Sequence, residues 1–84
     1  MSRARDVAEI VIKALVDRPG EVRVTETPHR GGTLVEVFVG EHDLGRVIGR
    51  QGRTATAIRT LVAVTAEGEG ERATVEFRDE HGRR

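Results

Sequence analysis

The chain has no cysteine, no tryptophan and no tyrosine, and its only aromatics are Phe38 and Phe77. Without cysteine there are no disulfide staples, thiolate metal ligands or cysteine nucleophiles. Without an aromatic cluster there is no stacking platform of the kind many single-strand readers use. Net charge is also missing: 14 Lys and Arg balance 14 Asp and Glu. A zero sum argues against a bulk polyanion binder. No apolar run approaches the length of a membrane span, and the N-terminal residues lead into charged helical sequence rather than a secretory signal. The expected compartment is therefore the cytoplasm. Lysine is nearly absent, with Lys13 alone among the basic residues. The base composition of a genome accounts for that more simply than function does. At 84 residues the chain fits one small domain with one modest core.

The zero net charge conceals a division. Residues 1–43 sum to −2, residues 44–62 to +4, and residues 63–84 to −2. The middle segment carries Arg46, Arg50, Arg53 and Arg59 and no acid. A local field of this kind steers anions even on a neutral protein. A solvated helix face would have the same composition, so the question is whether these arginines meet a backbone that can accept phosphate.

Apolar spacing predicts a helix over 3–16, with Val7, Val11 and Ala14 on one line and Ala8, Ile12 and Leu15 on the next. Ser2 is a candidate cap, and Asp17-Arg18-Pro19-Gly20 ends the helix. Residues 22–27 alternate as a strand, 28–32 have turn chemistry, and 33–39 form a second, β-branched strand. Val35, Val37 and Val39 share one face of that strand; Leu34, Glu36 and Phe38 share the other. Asp43 stands where a helix N-cap belongs. Leu44, Val47 and Ile48 fit a short helix, which Gly49-Arg50-Gln51-Gly52 interrupts. A helix over 53–65 follows, with Ala55, Ile58, Leu61 and Val62 inward. Residues 67–70 form a loop, and the alternation of Ala73, Val75 and Phe77 gives a third strand. The expected fold is α+β, in the order α-β-β-α-α-β, with three helices packed on one face of a three-stranded sheet. One domain spans 1–79, and 80–84 is expected to be a flexible tail.

The chemistry concentrates in Leu44 to Arg53. A Gly-x-x-Gly turn between two helices lets the backbone turn tightly and leaves no side chain to hold a sugar-phosphate backbone away. The helix that starts there points its free amides and positive dipole end at that backbone. Arg50 within the turn, and Arg46 and Arg53 beside it, add charge-assisted contacts. Gly45 leaves room beside the turn or allows close helix packing. Arg59, about two turns further on, reads as solvated charge.

Val47-Ile48-Gly49-Arg50-Gln51-Gly52 resembles the signature of a KH domain, which clamps about four nucleotides of single strand. The element order resembles the type II arrangement. The likeness extends from Val11 to Ala66 and is closest to the small bacterial single-KH proteins of the KhpA family. It is carried by Lys13 to Pro19, Val22-Arg23-Val24, Asp43 to Arg53 and Ala57 to Leu61. The resemblance implies single-stranded RNA binding through Gly45, Arg46, Gly49, Arg50, Gln51, Gly52 and Arg53. It implies a role as RNA chaperone or post-transcriptional regulator, partnership with KhpB (Jag), and a link to the cell envelope and cell length. The family often has lysine where this chain has Arg46 and Arg50; both remain cationic, and arginine adds bidentate contacts.

Other readings are weaker. His29, His42 and His81 have no metal-ligand spacing, so no metal or cofactor is expected. Gly52-Arg53-Thr54 echoes a phosphate-binding loop but lacks its first glycine and its lysine. The only serine is Ser2, so no Ser/His/Asp set exists and no enzyme is expected. Leu34 and Phe38 are either a candidate protein interface, for a homodimer or another partner, or part of the core. The rival to RNA binding is an adapter whose partner makes the RNA contact.

Overall fold

The computed structural model describes residues 2–83; Met1 and Arg84, which belong to the expected domain and tail, lie outside the described residues. Helix α1 spans Arg3–Leu15, strand β1 Arg23–His29, β2 Gly32–Val39, α2 Leu44–Ile48, α3 Arg53–Gly68 and β3 Ala73–Asp79. The order is the α-β-β-α-α-β read from the sequence. Single 3-10 turns at Pro19–Glu21, Glu41–Asp43 and Arg50–Gly52 join the elements.

The strands lie in the order β1-β2-β3. β1 and β2 pair antiparallel, and β2 and β3 pair parallel because the helical segment between them carries the chain back across the sheet. The hairpin turn is tighter than its sequence suggested. β1 runs through Pro28 to His29, and only Arg30 (φ +48°) and Gly31 (φ +79°) turn. Pro28 is tolerated because β1 is an edge strand.

Val24, Val35, Val37, Val39, Val75 and Phe77 point to the helices and are buried. The α1 contact follows the i, i+4 ridge Ala4, Ala8, Ile12 and Val16. Val16 is its extended C-cap and not a helical residue. Val7 and Val11 are half-buried, whereas Ala14 and Leu15 fall off the ridge and are exposed. On α3 the ridge is Ala55, Ile58, Val62 and Ala66. Leu61, expected inward, lies beside that line and is 43% exposed.

Each sheet edge is covered by an arginine from the helix above it. Arg5 Nε donates to the Val24 carbonyl at 3.1 Å, and Arg59 Nε donates to the Val75 carbonyl at 3.3 Å. Both contacts occupy carbonyls on edge strands that could otherwise pair with another chain. Residues 80–83 fold back over Asp79, whose carboxylate accepts the backbone N–H groups of His81 (2.9 Å) and Arg83 (2.8 Å). The Arg83 N–H, and behind it that of His81, hold Asp79 below the usual carboxylate range.

Two carboxylates fix the helices to their surroundings. At the start of α1, Ser2 Oγ accepts the Arg5 N–H and donates to Glu26 Oε2 at 2.7 Å, while the Ser2 N–H donates to Glu26 Oε1 at 2.9 Å. At the start of α2, Asp43 is 2% exposed but does not cap the helix as expected. Its Oδ1 and Oδ2 instead accept the backbone N–H groups of Asp17 and Arg18, each at 3.1 Å. The sequence fits an N-cap at this position equally well, because a cap and a long-range acceptor need the same short side chain.

Two outcomes follow from these contacts. Asp43→Ala leaves two N–H groups without their acceptor and should lower unfolding stability by about 3 kcal/mol in a urea titration. Glu26 is held below the usual glutamate range, first by the Ser2 hydroxyl and then by the Ser2 N–H. Its contribution is present above the unfolded value of about 4.3 and is lost as pH falls through the lower folded value. The stability gap between the wild type and Glu26→Gln should therefore narrow on acidification below about pH 4.

Candidate nucleic-acid interface

Helix α2 ends at Gly49, whose N–H donates to the Gly45 carbonyl at 2.9 Å. The chain then turns with positive φ at three of four positions: Gly49 (φ 76°, ψ 172°), Gln51 (57°, 22°) and Gly52 (73°, 13°). The Gly52 N–H closes the turn on the Gly49 carbonyl at 3.1 Å, and α3 begins at Arg53. The two glycines are needed for different reasons. A Cβ on Gly49 would overlap the Thr54 side chain and lie 3.0 Å from the Thr54 nitrogen, in a φ/ψ region essentially reserved for glycine. A Cβ on Gly52 would meet nothing within 4 Å, so only its left-handed backbone calls for glycine. A Cβ on Gly45 would also meet nothing within 4 Å, so close helix packing does not explain that glycine.

The arginines expected near the turn fall into three environments. Arg50 and Arg53 are exposed, and neither side chain has a hydrogen-bond or ion-pair partner among the described residues. Arg46 is engaged: its Nη2 lies 2.9 Å from Asp17 Oδ2 and its Nε 3.7 Å from Asp43 Oδ1. Arg59 is not merely solvated, since it reaches the β3 edge and its guanidinium lies 5.1 Å from the Phe77 ring centroid. Asp17 escaped the sequence reading because it joins α2 only through the fold, and Asp43 was read as a helix cap and not as a partner of Arg46. Val47 is buried in the core and Ile48 packs partly against it.

The charges on α3 run against its dipole. α1 has Lys13 in its last turn and Asp6 in its first, although Arg3 and Arg5 also stand in that first turn. α3 has no acid in its first turn and no base in its last. Arg53 instead stands at its start, and Glu67 lies near its end, followed by Glu69 and Glu71. Sixteen residues of helix separate the two groups by about 24 Å. The side-chain charges thus add to the positive potential at the turn instead of cancelling it.

Leu34 and Phe38 lie on the helix-free face of the sheet, half-buried and outside the core cluster. Phe38 stands in register between Arg23 and Arg78, and the Arg23 guanidinium lies 4.4 Å from its ring centroid. Among the described residues, Glu41, Glu80 and His81 bring metal-ligating atoms within 4.8 Å of one another. All three are exposed. Glu80 already accepts the Glu41 N–H at 3.0 Å, and His81 Nε2 lies 3.9 Å from Glu41 Oε2.

The glycine environments predict unequal costs. Gly52→Ala should lose about 1 kcal/mol of unfolding stability, the cost of left-handed backbone. Gly49→Ala should lose about 3 kcal/mol, because α3 must also move off Thr54. Urea midpoints of the two variants check the order.

Comparison with known proteins meets the same region of chain. The model of the KhpA/KhpB KH domain matches residues 5–77. The RNA-binding protein KhpA of Leifsonia xyli is 51% identical over 65 residues, covering 77% of this chain and 86% of the relative. KhpA of Treponema pallidum is 44% identical over 69 residues, covering 82% and 86%. Among solved structures, Aquifex aeolicus Era bound to GDP and aluminium fluoride superposes with a TM-score of 0.69 at 17% identity. That match covers 90% of this chain but only 29% of the Era chain, so it speaks for the fold alone. An Era complex with MgGDPNP and nucleotides 1506–1542 of 16S ribosomal RNA superposes equally well. With a family model matched over most of its length and relatives at this identity, the chain belongs to the KhpA/KhpB KH-domain family.

Proposed function

We propose that this protein binds single-stranded RNA without catalysis, gripping the sugar-phosphate backbone at the Gly49–Gly52 turn. The observation that carries the reading is the coincidence of three features at one place. They are a glycine turn open to a backbone, Arg50 and Arg53 at its mouth with no partner among the described residues, and a helix with Arg53 at its positive end. Gly49 and Gly52 shape the turn, Gln51 and Arg50 present polar groups from it, and Arg46 and Arg53 flank it. Gly45 keeps the approach clear. The relatives' name, RNA-binding protein KhpA, supports the same reading.

Family membership supports a role as RNA chaperone or post-transcriptional regulator in the cytoplasm, working with KhpB and bearing on the cell envelope and cell length. One copy should bind modestly, because no aromatic stacking is on offer near the turn and few cations reach phosphate. A partner or second copy would raise the effective concentration. The competing reading is an adapter whose partner carries the RNA contact; in its favour, Leu34 and Phe38 lie half-exposed on the helix-free face.

The double change Arg50→Asp with Gln51→Asp separates the two. RNA binding, read by fluorescence anisotropy, should be lost while the circular dichroism and thermal midpoint stay near wild type. Unchanged affinity would sink the clamp. Three arginines at the turn also predict that log K falls with log salt at a slope of magnitude about 2. A much steeper slope would reveal a further basic surface.

A further inference from the structure

The mouth of the turn carries its own counter-ion. Arg46 meets two carboxylates of different character. That of Asp43 is buried, holds two backbone N–H groups, and lies 3.7 Å from Arg46 Nε. That of Asp17 is 67% exposed and lies 2.9 Å from Arg46 Nη2. Asp17 belongs to the loop after α1, far from Arg46 in sequence. Its place beside α2 is fixed because its own N–H, and that of Arg18, are bound by Asp43. The carboxylate that ties this loop to α2 therefore also brings a negative charge to one of the three arginines at the turn.

We propose that Asp17 sets the affinity of the turn for nucleic acid by competing with phosphate for Arg46. The inference rests on the reading of the turn as the RNA clamp. A guanidinium offers the same fork of donors to a carboxylate and to a phosphate, so the two are direct rivals. The pair is solvent-exposed on both sides, with Arg46 54% and Asp17 67% accessible. Such a pair is weak enough to yield to a ligand but strong enough to hold the arginine when no ligand is bound. Binding through Arg46 must first break this contact, and the freed Asp17 then repels the incoming phosphate. Among the described residues Arg50 and Arg53 carry no such counter-ion, so Asp17 discounts one cation of the three selectively. It keeps single-copy affinity low without altering the turn.

The test measures affinity for a short fluorescein-labelled single-stranded RNA of mixed sequence, using the full chain at low salt. Asp17→Asn keeps the main-chain N–H that Asp43 binds, so its thermal midpoint should match the wild type. It should bind about threefold tighter, the size of effect an exposed ion pair supports. Glu21→Gln makes the same charge change in the same loop but faces Arg18, and should gain clearly less. In an Arg46→Gln background, Asp17→Asn should gain no more than Glu21→Gln does. The proposal is overturned if Asp17→Asn binds no tighter than Glu21→Gln, or if its full gain survives the loss of Arg46. Arg50→Asp with Gln51→Asp, measured alongside, keeps the two failures apart. If it abolishes binding while Asp17→Asn changes nothing, only the role of Asp17 falls; if it binds like the wild type, the clamp falls.

Discussion

The carboxylate of Asp43 is the contact through which the two halves of the chain agree on where the turn should be. It is buried and takes the N–H groups of Asp17 and Arg18, so the loop that leaves α1 is bound to the residue that enters α2. α2 is only five residues long, too short to be stable by itself. Its orientation is borrowed from this contact and from Val47 in the core. A buried carboxylate is costly unless its oxygens are satisfied, and here each oxygen receives one main-chain donor. The main-chain partners make the arrangement indifferent to the side chains of Asp17 and Arg18. Those side chains are thereby free to act on charge at the surface.

Beyond Asp43, the turn trades stability for potential. Gly49 packs its backbone against Thr54, Gln51 adopts a left-handed conformation without being glycine, and α3 carries charge of the wrong sign for its dipole at each end. Every one of these choices weakens the fold slightly. The start of the chain has stabilising local contacts. α1 is capped by Ser2 and carries an Arg5–Glu9–Lys13 ladder with contacts of 2.7 and 3.0 Å.

What the sequence revealed follows from the range of the interactions involved. The order of elements, the valine face of β2 and the glycine turn were readable because each depends on neighbours within a few residues. The inward ridge of α3 was readable except at Leu61, where periodicity allowed a stripe wider than the one the packing uses, and at Ala66, which lies past the expected helix end at 65. Asp43 was misassigned because the N-cap rule is local and its real partners, Asp17 and Arg18, lie before the hairpin. The same distance hid the engagement of Arg46 and the anchoring of Arg59 on Val75. Composition showed four uncompensated arginines between 44 and 62, but only the fold distinguishes Arg50 and Arg53, without partners among the described residues, from the two that are held.

That distinction changes what neutrality means for this protein. A chain with equal numbers of acids and bases can still bind a polyanion if the acids are kept away from the binding face or used to moderate it. Here Glu67, Glu69 and Glu71 lie at the far end of α3, where they cost the turn almost nothing, because about 24 Å exceeds the screening length of roughly 8 Å at physiological salt. Asp17 lies within contact of one arginine, where a single acid can have an effect that three distant ones cannot. Net charge is therefore the wrong variable for this fold. For the proposed clamp, the variable that matters is which cations at the turn have a carboxylate within reach: among the described residues Arg50 and Arg53 have none, and Arg46 has Asp17.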